Sequence, residues 1–364
     1  MKKLPPRGFS VTMNPQEKED RKEVAKMYYT GIDLHKKTSF ITTIDNSGKV
    51  VFRRNFANQQ EQILDYFINL DAPTKIVIEA MCSWHWLYDL LTAHHLNVVI
   101  SNPLKTKAIA SAKIKNDKVD SHMLAQLLRA ELIATVHVCS LKTRKLKELL
   151  RHRRRLVADA TRMKNRIHML LMKNNITVPV SDLFGAKGMK YLKEIDLPIY
   201  HRQQLRSYLT LYGQLTKQIQ PLTKRIGHLA KKDPMAQLLM TIPGIGPLTA
   251  MYIKAEIEDI SRFPSYRNLA SYAGLVPCLD ASADKSRTGR ITKQGSPYLR
   301  TALVEAAQII PRMKKTRLNA FFRKRIVRAG YQKAIVATAH KILQYVYYVL
   351  KNQTPYREEY AVCA

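Results

Sequence analysis

The sequence predicts a mixed α/β region at the front of the chain and a mainly α-helical remainder. Residues 27–140 alternate short β-branched segments with amphipathic ones. Residues 141–235 hold two long stretches with leucines at helical spacing, and residues 236–350 show helical patterns separated by turns that contain glycine and proline. Residues 1–26 and 351–364 are expected to be a mobile basic extension and a C-terminal tail.

The composition is that of a globular protein with an unusual charge. The 364 residues include 61 Lys and Arg against 28 Asp and Glu, a formal net charge of +33. A polyanionic partner is therefore expected: nucleic acid first, with an anionic membrane surface or a ribosomal or structural role as alternatives. No apolar run reaches the roughly 18 residues of a membrane span, and no signal peptide is recognisable, so a cytoplasmic location is expected. The four cysteines are scattered singly, which argues against a zinc module or a disulfide framework.

The first elements surround the basic turn His35-Lys36-Lys37. β-branched and aromatic residues on both sides predict two strands between Met27 and Val51. The elements expected after them are a strand over 50–56, a helix over 58–70, a strand over 75–79, a helix over 84–94, a strand over 97–100 and a loop through Asn102-Pro103. Meandering strands followed by strand and helix alternation indicate a mixed sheet with helices on its faces.

Four acids stand out in this region. Asp33 lies inside the first strand, where it is either an exposed chance residue or the ligand of a cation. Glu79 ends an apolar strand, and Asp117 and Asp120 share one face of the first turn of a helix, where a helix cap is the simple alternative. Together the four carboxylates form a plausible cage for Mg²⁺ or Mn²⁺ ions that act on a phosphodiester.

Two histidines lie beside these acids in the sequence. His35 and His122 are candidates for proton transfer. The commoner role for each is a solvated or phosphate-facing side chain.

The middle of the chain predicts two long helices, over 141–173 and 202–232, the second interrupted by Pro221. An antiparallel hairpin or coiled coil that pairs protomers is expected, with a solvated linker as the alternative. Arg153 and Arg154 belong to an arginine cluster that also fits phosphate contact.

The third region begins with a glycine-containing turn between apolar helices, at Gly244 and Gly246. The pattern predicts a helix-hairpin-helix whose backbone N–H groups approach a phosphate, and the alternative is a plain tight turn. A helix over 263–275 and a polar basic loop over 278–290 follow, and the loop leads to another helix. The loop's serines are either part of a flexible phosphate clamp or include a nucleophile.

Six segments, in this order and spacing, resemble the insertion-sequence transposases with a DEDD acid set and a C-terminal serine domain. This group includes Piv-type DNA invertases and bridge-RNA-guided recombinases. The resemblance covers about residues 28–350. The segments are Gly-Ile-Asp33-Leu-His-Lys-Lys, Ile-Glu79-Ala, Asn-Asp117-Lys-Val-Asp120, Ile-Pro-Gly244-Ile-Gly246-Pro, Tyr-Ala-Gly274-Leu-Val-Pro277 and Gly295-Ser-Pro-Tyr-Leu-Arg300.

The resemblance implies an RNase H-like (RuvC-like) N-terminal domain whose four acids bind the metal, a coiled-coil linker, and a mainly α-helical transposase domain with a helix-hairpin-helix. It also implies a nucleophilic serine five residues beyond Pro277, which is Ser282. The family usually has glycine after this serine, whereas this chain has Ala283, so Ser286 and Ser296 stay open as alternatives. The chain also departs from the family at Met81-Cys82, where Thr-Gly is favoured.

The implied reaction is attack of Ser282 on a metal-polarised phosphodiester, which cuts and rejoins DNA. The implied partners are donor and target DNA, a guide (bridge) RNA and further copies of the chain, as a dimer or tetramer. The predicted nucleic-acid contacts are Lys36, Lys37, Arg153, Arg154, Gly244, Gly246, Lys285, Arg287, Arg290, Lys293 and Arg300. The competing interpretations are a metal-dependent junction resolvase or nuclease that uses water, and a non-catalytic nucleic-acid-binding relative.

Overall fold

The computed structural model describes residues 25–81, 83–109, 116–282 and 285–358, with the backbone alone for 279–282 and 285–288. The chain divides into two compact units at Val138 and Cys139. The finer division of the second unit into a linker over 141–235 and a domain over 236–350 stays a prediction.

The first unit is built on a five-stranded mixed sheet of order β3-β2-β1-β4-β5. Its strands are β1 (Tyr28–Leu34), β2 (Thr38–Ile44), β3 (Val50–Ala57), β4 (Thr74–Glu79) and β5 (Asn97–Ser101). β2 is antiparallel to β1 and to β3, whereas β4 is parallel to β1 and to β5. The predicted strands and the predicted mixed sheet are confirmed.

Helices cover both faces of this sheet. α1 (Gln60–Ile68) and α2 (His85–Ala93) pack on one face against a core that includes Ile32 and Ile78, and α4 (Asp117–Arg129) covers the other. The prediction of a loop through Asn102-Pro103 was wrong from Pro103 onward, because α3 (Pro103–Ile109) begins at that residue. Proline suits a first helical position, and the Asn102 Oδ1 accepts the N–H of Leu104 at 3.1 Å.

A glycine lets α4 approach the sheet closely. A Cβ atom on Gly31, in β1, would overlap the carbonyl oxygen of Ser121 in α4. The Ser121 hydroxyl also lies 2.8 Å from the hydroxyl of Thr42, and Leu124 packs on Val77. Glycine weakens a strand by itself, and here the absent side chain makes room for the helix backbone.

The second unit is mainly helical. Its helices are α5 (Leu141–Lys173), α6 (Ala186–Glu194), α7 (Ile199–Lys232), α8 (Pro234–Met240), α9 (Pro247–Ile257), α10 (Tyr266–Ala273), α11 (Pro297–Ile309), α12 (Arg317–Ala329) and α13 (Tyr331–Asn352), with 3-10 turns at Ile260–Arg262 and Ile310–Arg312. The largest core joins one end of α5 and α7 to α8–α13, and a smaller core joins their other end to α6. Within the described chain, no helix has the length and apolarity that a membrane span needs.

The two long helices pack against each other as the predicted antiparallel pair. α7 is not interrupted at Pro221, so this detail of the prediction was wrong. Proline removes one helical N–H and crowds the preceding turn, but Pro221 is exposed, where water can reach the freed carbonyl group. A coiled coil in the strict sense stays a prediction.

The segment expected as a polar basic loop forms a β-hairpin instead. β6 (Pro277–Ser282) pairs antiparallel with β7 (Lys285–Ile291). The prediction was wrong because Asp, Lys, Arg and Ser are poor strand formers, so propensity alone favoured a loop.

Candidate functional site

Asp33, His35 and Asp117 form a compact group at one end of the sheet. The His35 Nε2 atom lies 3.3 Å from the Asp33 Oδ2 atom and 3.2 Å from the Asp117 Oδ2 atom. Ligand atoms of all three residues lie within 4.8 Å of one another. Asp33 is buried, whereas the Asp117 side chain is 49% exposed, so the group opens to solvent on the helix side.

The remaining two predicted acids lie at the same end of the sheet. Ile32 and Ile78 are partners in the parallel β1–β4 ladder, so Asp33 and Glu79 follow side by side and point to the α4 face, as Val77 does. Asp120 lies one helical turn after Asp117. Neither belongs to the 4.8 Å group, so the structure brings Asp33 and Asp117 together through His35, and a shared site with Glu79 and Asp120 stays a prediction.

Hydrogen bonds fix the turn that carries His35. The His35 N–H donates to the Thr38 carbonyl at 2.8 Å, and the Asn58 amide donates to the His35 carbonyl at 2.9 Å. Asn58 also accepts the Ser39 hydroxyl at 2.6 Å. Asn58 and Gly31 were not predicted as functional residues, although a glycine inside a strand is a recognisable signal.

Near the acidic group, Lys36 and Lys37 are exposed on the same turn. His122 lies elsewhere, on α4 beside Ser121, and its Nδ1 atom is buried without a hydrogen-bond partner. Burial, assisted by the charge of Arg53, lowers the pKa of His122 below its ordinary value. His122 is thus separate from the acidic group, whereas His35 belongs to it.

The donor atoms of this group fit a divalent cation. Two carboxylates and one imidazole nitrogen converge, and carboxylate oxygens are the ligands that Mg²⁺ and Mn²⁺ take in proteins. A bound cation would also offset the mutual repulsion of Asp33 and Asp117. Asp33 and Asp117 would hold the ion directly, and a role of Glu79 and Asp120 as further ligands stays a prediction.

Two glycines and an arginine anchor the base of the β6–β7 hairpin. Gly274 ends α10 at φ +65°, and a Cβ atom there would meet the Gln294 carbonyl oxygen. A Cβ atom on Gly295, at φ +94°, would overlap the Tyr272 carbonyl oxygen. Arg300 donates through Nη1 to the carbonyl groups of Ala273, at 2.9 Å, and Lys293, at 3.2 Å. Arg300 therefore holds the hairpin base together, in addition to any contact with nucleic acid.

The three candidate serines stand in different positions. Ser282 ends β6 and pairs with Lys285 in the backbone register. The side chains of Ser282, Lys285, Ser286 and Arg287 lie outside the described residues, and the side chains of Arg290 and Lys293 are exposed. Ser296 is buried, where its hydroxyl accepts the Leu299 N–H at 3.2 Å and donates to Glu256 at 3.0 Å.

Arg153 and Arg154 contact other parts of their own unit. Arg153 donates through Nε to the Thr223 hydroxyl at 2.8 Å, and Arg154 donates through Nη2 to the Thr301 hydroxyl at 3.1 Å. Both line a cavity of about 230 Å³ between α5, α9 and α11. Their contact with nucleic acid stays a prediction, and these bonds tie them to the helix packing.

The two glycines of the predicted helix-hairpin-helix differ. Gly244 adopts φ +87°, and a Cβ atom there would meet the Ala306 carbonyl oxygen, so packing against α11 requires glycine. Gly246 precedes α9 with extended backbone, and no heavy atom of the described chain lies within 4 Å of the place of a Cβ atom. Of these two glycines, Gly246 alone leaves open space at the start of a helix.

Two family models match the chain. One, a transposase model for the DEDD transposases of IS110, matches residues 30–175, the region of the acidic group. The other, described as Transposase IS116/IS110/IS902 family, matches residues 236–323, which include the hairpin and both glycine turns.

Relatives that are named as transposases or gene-inverting proteins align along nearly the whole chain. The transposase for insertion sequence element IS1111A of Coxiella burnetii is 26% identical over 358 residues, covering 93% of this chain and 94% of the relative. A probable family 20 transposase of Pseudomonas aeruginosa is 26% identical, covering 90% and 98%. The pilin gene-inverting protein of Moraxella lacunata is 29% identical, covering 90% and 97%. The chain therefore belongs to the IS110/IS116 family of insertion-sequence transposases.

Proposed function

We propose that this transposase cuts and rejoins DNA by attack of the Ser282 hydroxyl on a phosphodiester activated by a divalent metal ion. The observation that carries the proposal is the meeting of Asp33 and Asp117 through His35 at the end of a parallel strand pair. Carboxylates from separate chain segments are brought to one point, which suits metal binding. Mg²⁺ or Mn²⁺ is the proposed ion.

The topology of the first unit supports an RNase H-like (RuvC-like) assignment. Three antiparallel strands are followed by two strands parallel to the first, in the order β3-β2-β1-β4-β5. The acids lie at the carboxyl ends of the central strands and at the start of the helix packed on them. The match of residues 30–175 to DEDD transposases points the same way.

In the proposed step, Ser282 exchanges one phosphate ester bond of the DNA for a bond to its own oxygen. The serine oxygen gives up its proton to solvent and forms an O–P bond, while one P–O bond of the DNA backbone breaks. The departing sugar oxygen takes a proton and leaves as a hydroxyl group. Rejoining is the reverse step with the hydroxyl group of another strand, so no external energy source is needed. A bound divalent ion supplies positive charge for the phosphate oxygens.

The positive charge of the hairpin supports Ser282 as the nucleophile. The hairpin carries Lys285, Arg287 and Arg290, whose cationic groups suit the extra negative charge of a pentacovalent phosphate. Ser296, by contrast, is buried and occupied by its bonds to Leu299 and Glu256. Ser286 remains the alternative on the same hairpin. The mechanism requires that both units act on one phosphodiester in the assembled complex.

DNA is the proposed substrate, and a guide RNA and further protomers are the proposed partners. The net charge of +33 suits either DNA alone or DNA with RNA. The open space at Gly246 suits close approach of a phosphate to the start of α9. Relatives named as pilin gene-inverting proteins support rearrangement of DNA segments as the outcome. RNA that remains bound to the purified protein after nuclease treatment would support the proposed guide RNA.

The test is a trap for the serine–DNA bond. Purified full-length protein is incubated with DNA of the element's ends, co-purified RNA and Mn²⁺, and denatured adducts are separated by size. The wild type, Ser286→Ala and the control Ser207→Ala, an exposed serine of α7, are expected to form the adduct. Ser282→Ala and Asp117→Asn are expected to form none. An adduct that persists in Ser282→Ala refutes the nucleophile, and cleavage without any adduct favours the water-using nuclease. Binding that survives loss of all four acids, with no cleavage in the wild type, favours the non-catalytic relative.

A further inference from the structure

We propose that His35 is itself a ligand of the metal ion, and that the site therefore prefers Mn²⁺ to Mg²⁺. This inference rests on the proposed function of the acidic group and names the metal that the group takes. Its observation is that one ring nitrogen faces two carboxylates that come from different elements.

The distances suit ligands of one ion. The Nε2 atom lies 3.3 Å from Asp33 and 3.2 Å from Asp117. Adjacent ligands of an octahedral ion with bonds near 2.1 Å are separated by about 3 Å. A single N–H of the ring cannot make two full hydrogen bonds at once. A metal ion between these atoms would be bound by the Nε2 atom of His35 and by one oxygen of each carboxylate.

The backbone under His35 is held in place. The Thr38 carbonyl accepts the His35 N–H, and Asn58 donates to the His35 carbonyl while accepting the Ser39 hydroxyl. The His35 side chain is 46% exposed. Fixed backbone bonds reduce the number of positions that an exposed ring samples, which favours a role in binding.

An imidazole nitrogen changes which metal binds best. Mg²⁺ takes oxygen ligands and keeps much of its water, whereas first-row transition ions accept imidazole readily. Mn²⁺ accepts both carboxylates and imidazole. A set of carboxylates with one imidazole thus raises the affinity for Mn²⁺ relative to Mg²⁺.

Pulsed electron paramagnetic resonance of Mn²⁺ bound to the full-length protein tests the inference without any DNA. A directly bound imidazole nitrogen modulates the Mn²⁺ echo. The wild type is expected to show this ¹⁴N modulation, and His35→Asn is expected to lose it and to bind Mn²⁺ at least about tenfold more weakly. The affinity for Mg²⁺ is expected to change less. His95→Asn is the matched control, because His95 is exposed after α2 at φ +59°, a conformation that Asn tolerates.

The outcomes separate this inference from the proposed function. Mn²⁺ binding without ¹⁴N modulation in the wild type, or modulation that survives His35→Asn, refutes His35 as a ligand and leaves the serine mechanism standing. Equal affinities of the wild type for Mn²⁺ and Mg²⁺ refute the preference. Absence of Mn²⁺ binding in the wild type refutes the inference and the metal part of the proposed function together. If the wild type shows the ¹⁴N modulation, His35→Asn loses it and no serine–DNA adduct forms, His35 is supported as a ligand and only Ser282 as the nucleophile is refuted.

Discussion

The acidic group of the first unit and the β6–β7 hairpin of the second are built in different ways. The acids are positioned by strand register and by the close approach of α4, so their places follow from the backbone of a sheet. The hairpin is anchored at its base by side chains and glycine contacts, through Arg300, Gly274 and Gly295. The first region carries negative charge and the second positive charge.

This difference indicates which residues can be changed without loss of the fold. In the first unit the acids stand at the end of the sheet, while Gly31 supports the packing beneath them. In the second unit, Glu256 and Ser296 support the chain that leads out of the hairpin into α11. Substitution of Gly31 should therefore disturb the acidic group, whereas substitution of Glu256 or Ser296 should disturb the hairpin.

The largest effect is expected for Glu256→Ala, which tests the hairpin support. The buried Glu256 carboxylate accepts the Ser296 hydroxyl and lies 3.9 Å from the nitrogen of Lys147, whose side chain is 12% exposed. Removing one partner of a buried ion pair leaves the other charge uncompensated, so unfolding should become easier by about 3–5 kcal/mol. Urea denaturation measures the change, with Glu148→Ala, an exposed acid of α5, as the control expected to stay within about 0.5 kcal/mol. An unchanged midpoint for Glu256→Ala would show that the ion pair does not support the fold.

Gly31→Ala tests the support of the acidic group. The added methyl group would overlap the Ser121 carbonyl and push α4 from the sheet, at an expected loss of about 3 kcal/mol and with weaker Mn²⁺ binding. Gly213→Ala in α7 is the control, because open space surrounds that position and alanine should stabilise a helix by about 0.5–1 kcal/mol. Thermal unfolding and Mn²⁺ titration measure both. Full metal affinity in Gly31→Ala would show that this glycine is not needed to position the acids.

Ser296→Ala sharpens the comparison between the serines. It removes the cap of α11 and one bond to Glu256, so a loss of about 1–2 kcal/mol is expected. Because Ser296 is assigned a structural role and not the role of nucleophile, the serine–DNA adduct should still form at a temperature where the variant is folded. A stable Ser296→Ala protein that forms no adduct would contradict this assignment.

The smallest effect concerns the pH dependence of the second unit. Burial raises the pKa of Asp233, but bonds from Lys254 and from the Ala236 N–H outweigh it and leave the pKa below its ordinary value. A lowered folded-state pKa contributes stability above the unfolded pKa, near 3.9, and loses it as the pH falls through the folded value. Asp233→Asn keeps the helix cap but removes the charge that pairs with Lys254, so it should cost about 1 kcal/mol at pH 7 and less at pH 3. Denaturation at both pH values checks this, and an equal loss at both would contradict it.

Much of the first unit could be predicted from the sequence, because its strands are short, β-branched and separated by clear turns. The meeting of Asp33 and Asp117 could not, since it depends on how Gly31 admits α4, a contact between distant segments. His35 was expected beside the acids, but its place between them follows from the turn held by Asn58. The hairpin was missed because its support is tertiary, and the continuity of α7 through Pro221 depends on exposure, which local sequence does not reveal.

Iron-mediated cleavage of the protein backbone tests most directly whether three separate segments surround one metal ion. Fe²⁺ replaces the bound ion in full-length protein, ascorbate and peroxide generate radicals there, and mass spectrometry locates the cuts. If the segments share one ion, cuts are expected near residues 33–36, 79–81 and 117–120, all suppressed by Mn²⁺ and by Asp117→Asn. Cuts confined to one of these segments, or unaffected by Mn²⁺, would contradict a shared metal site.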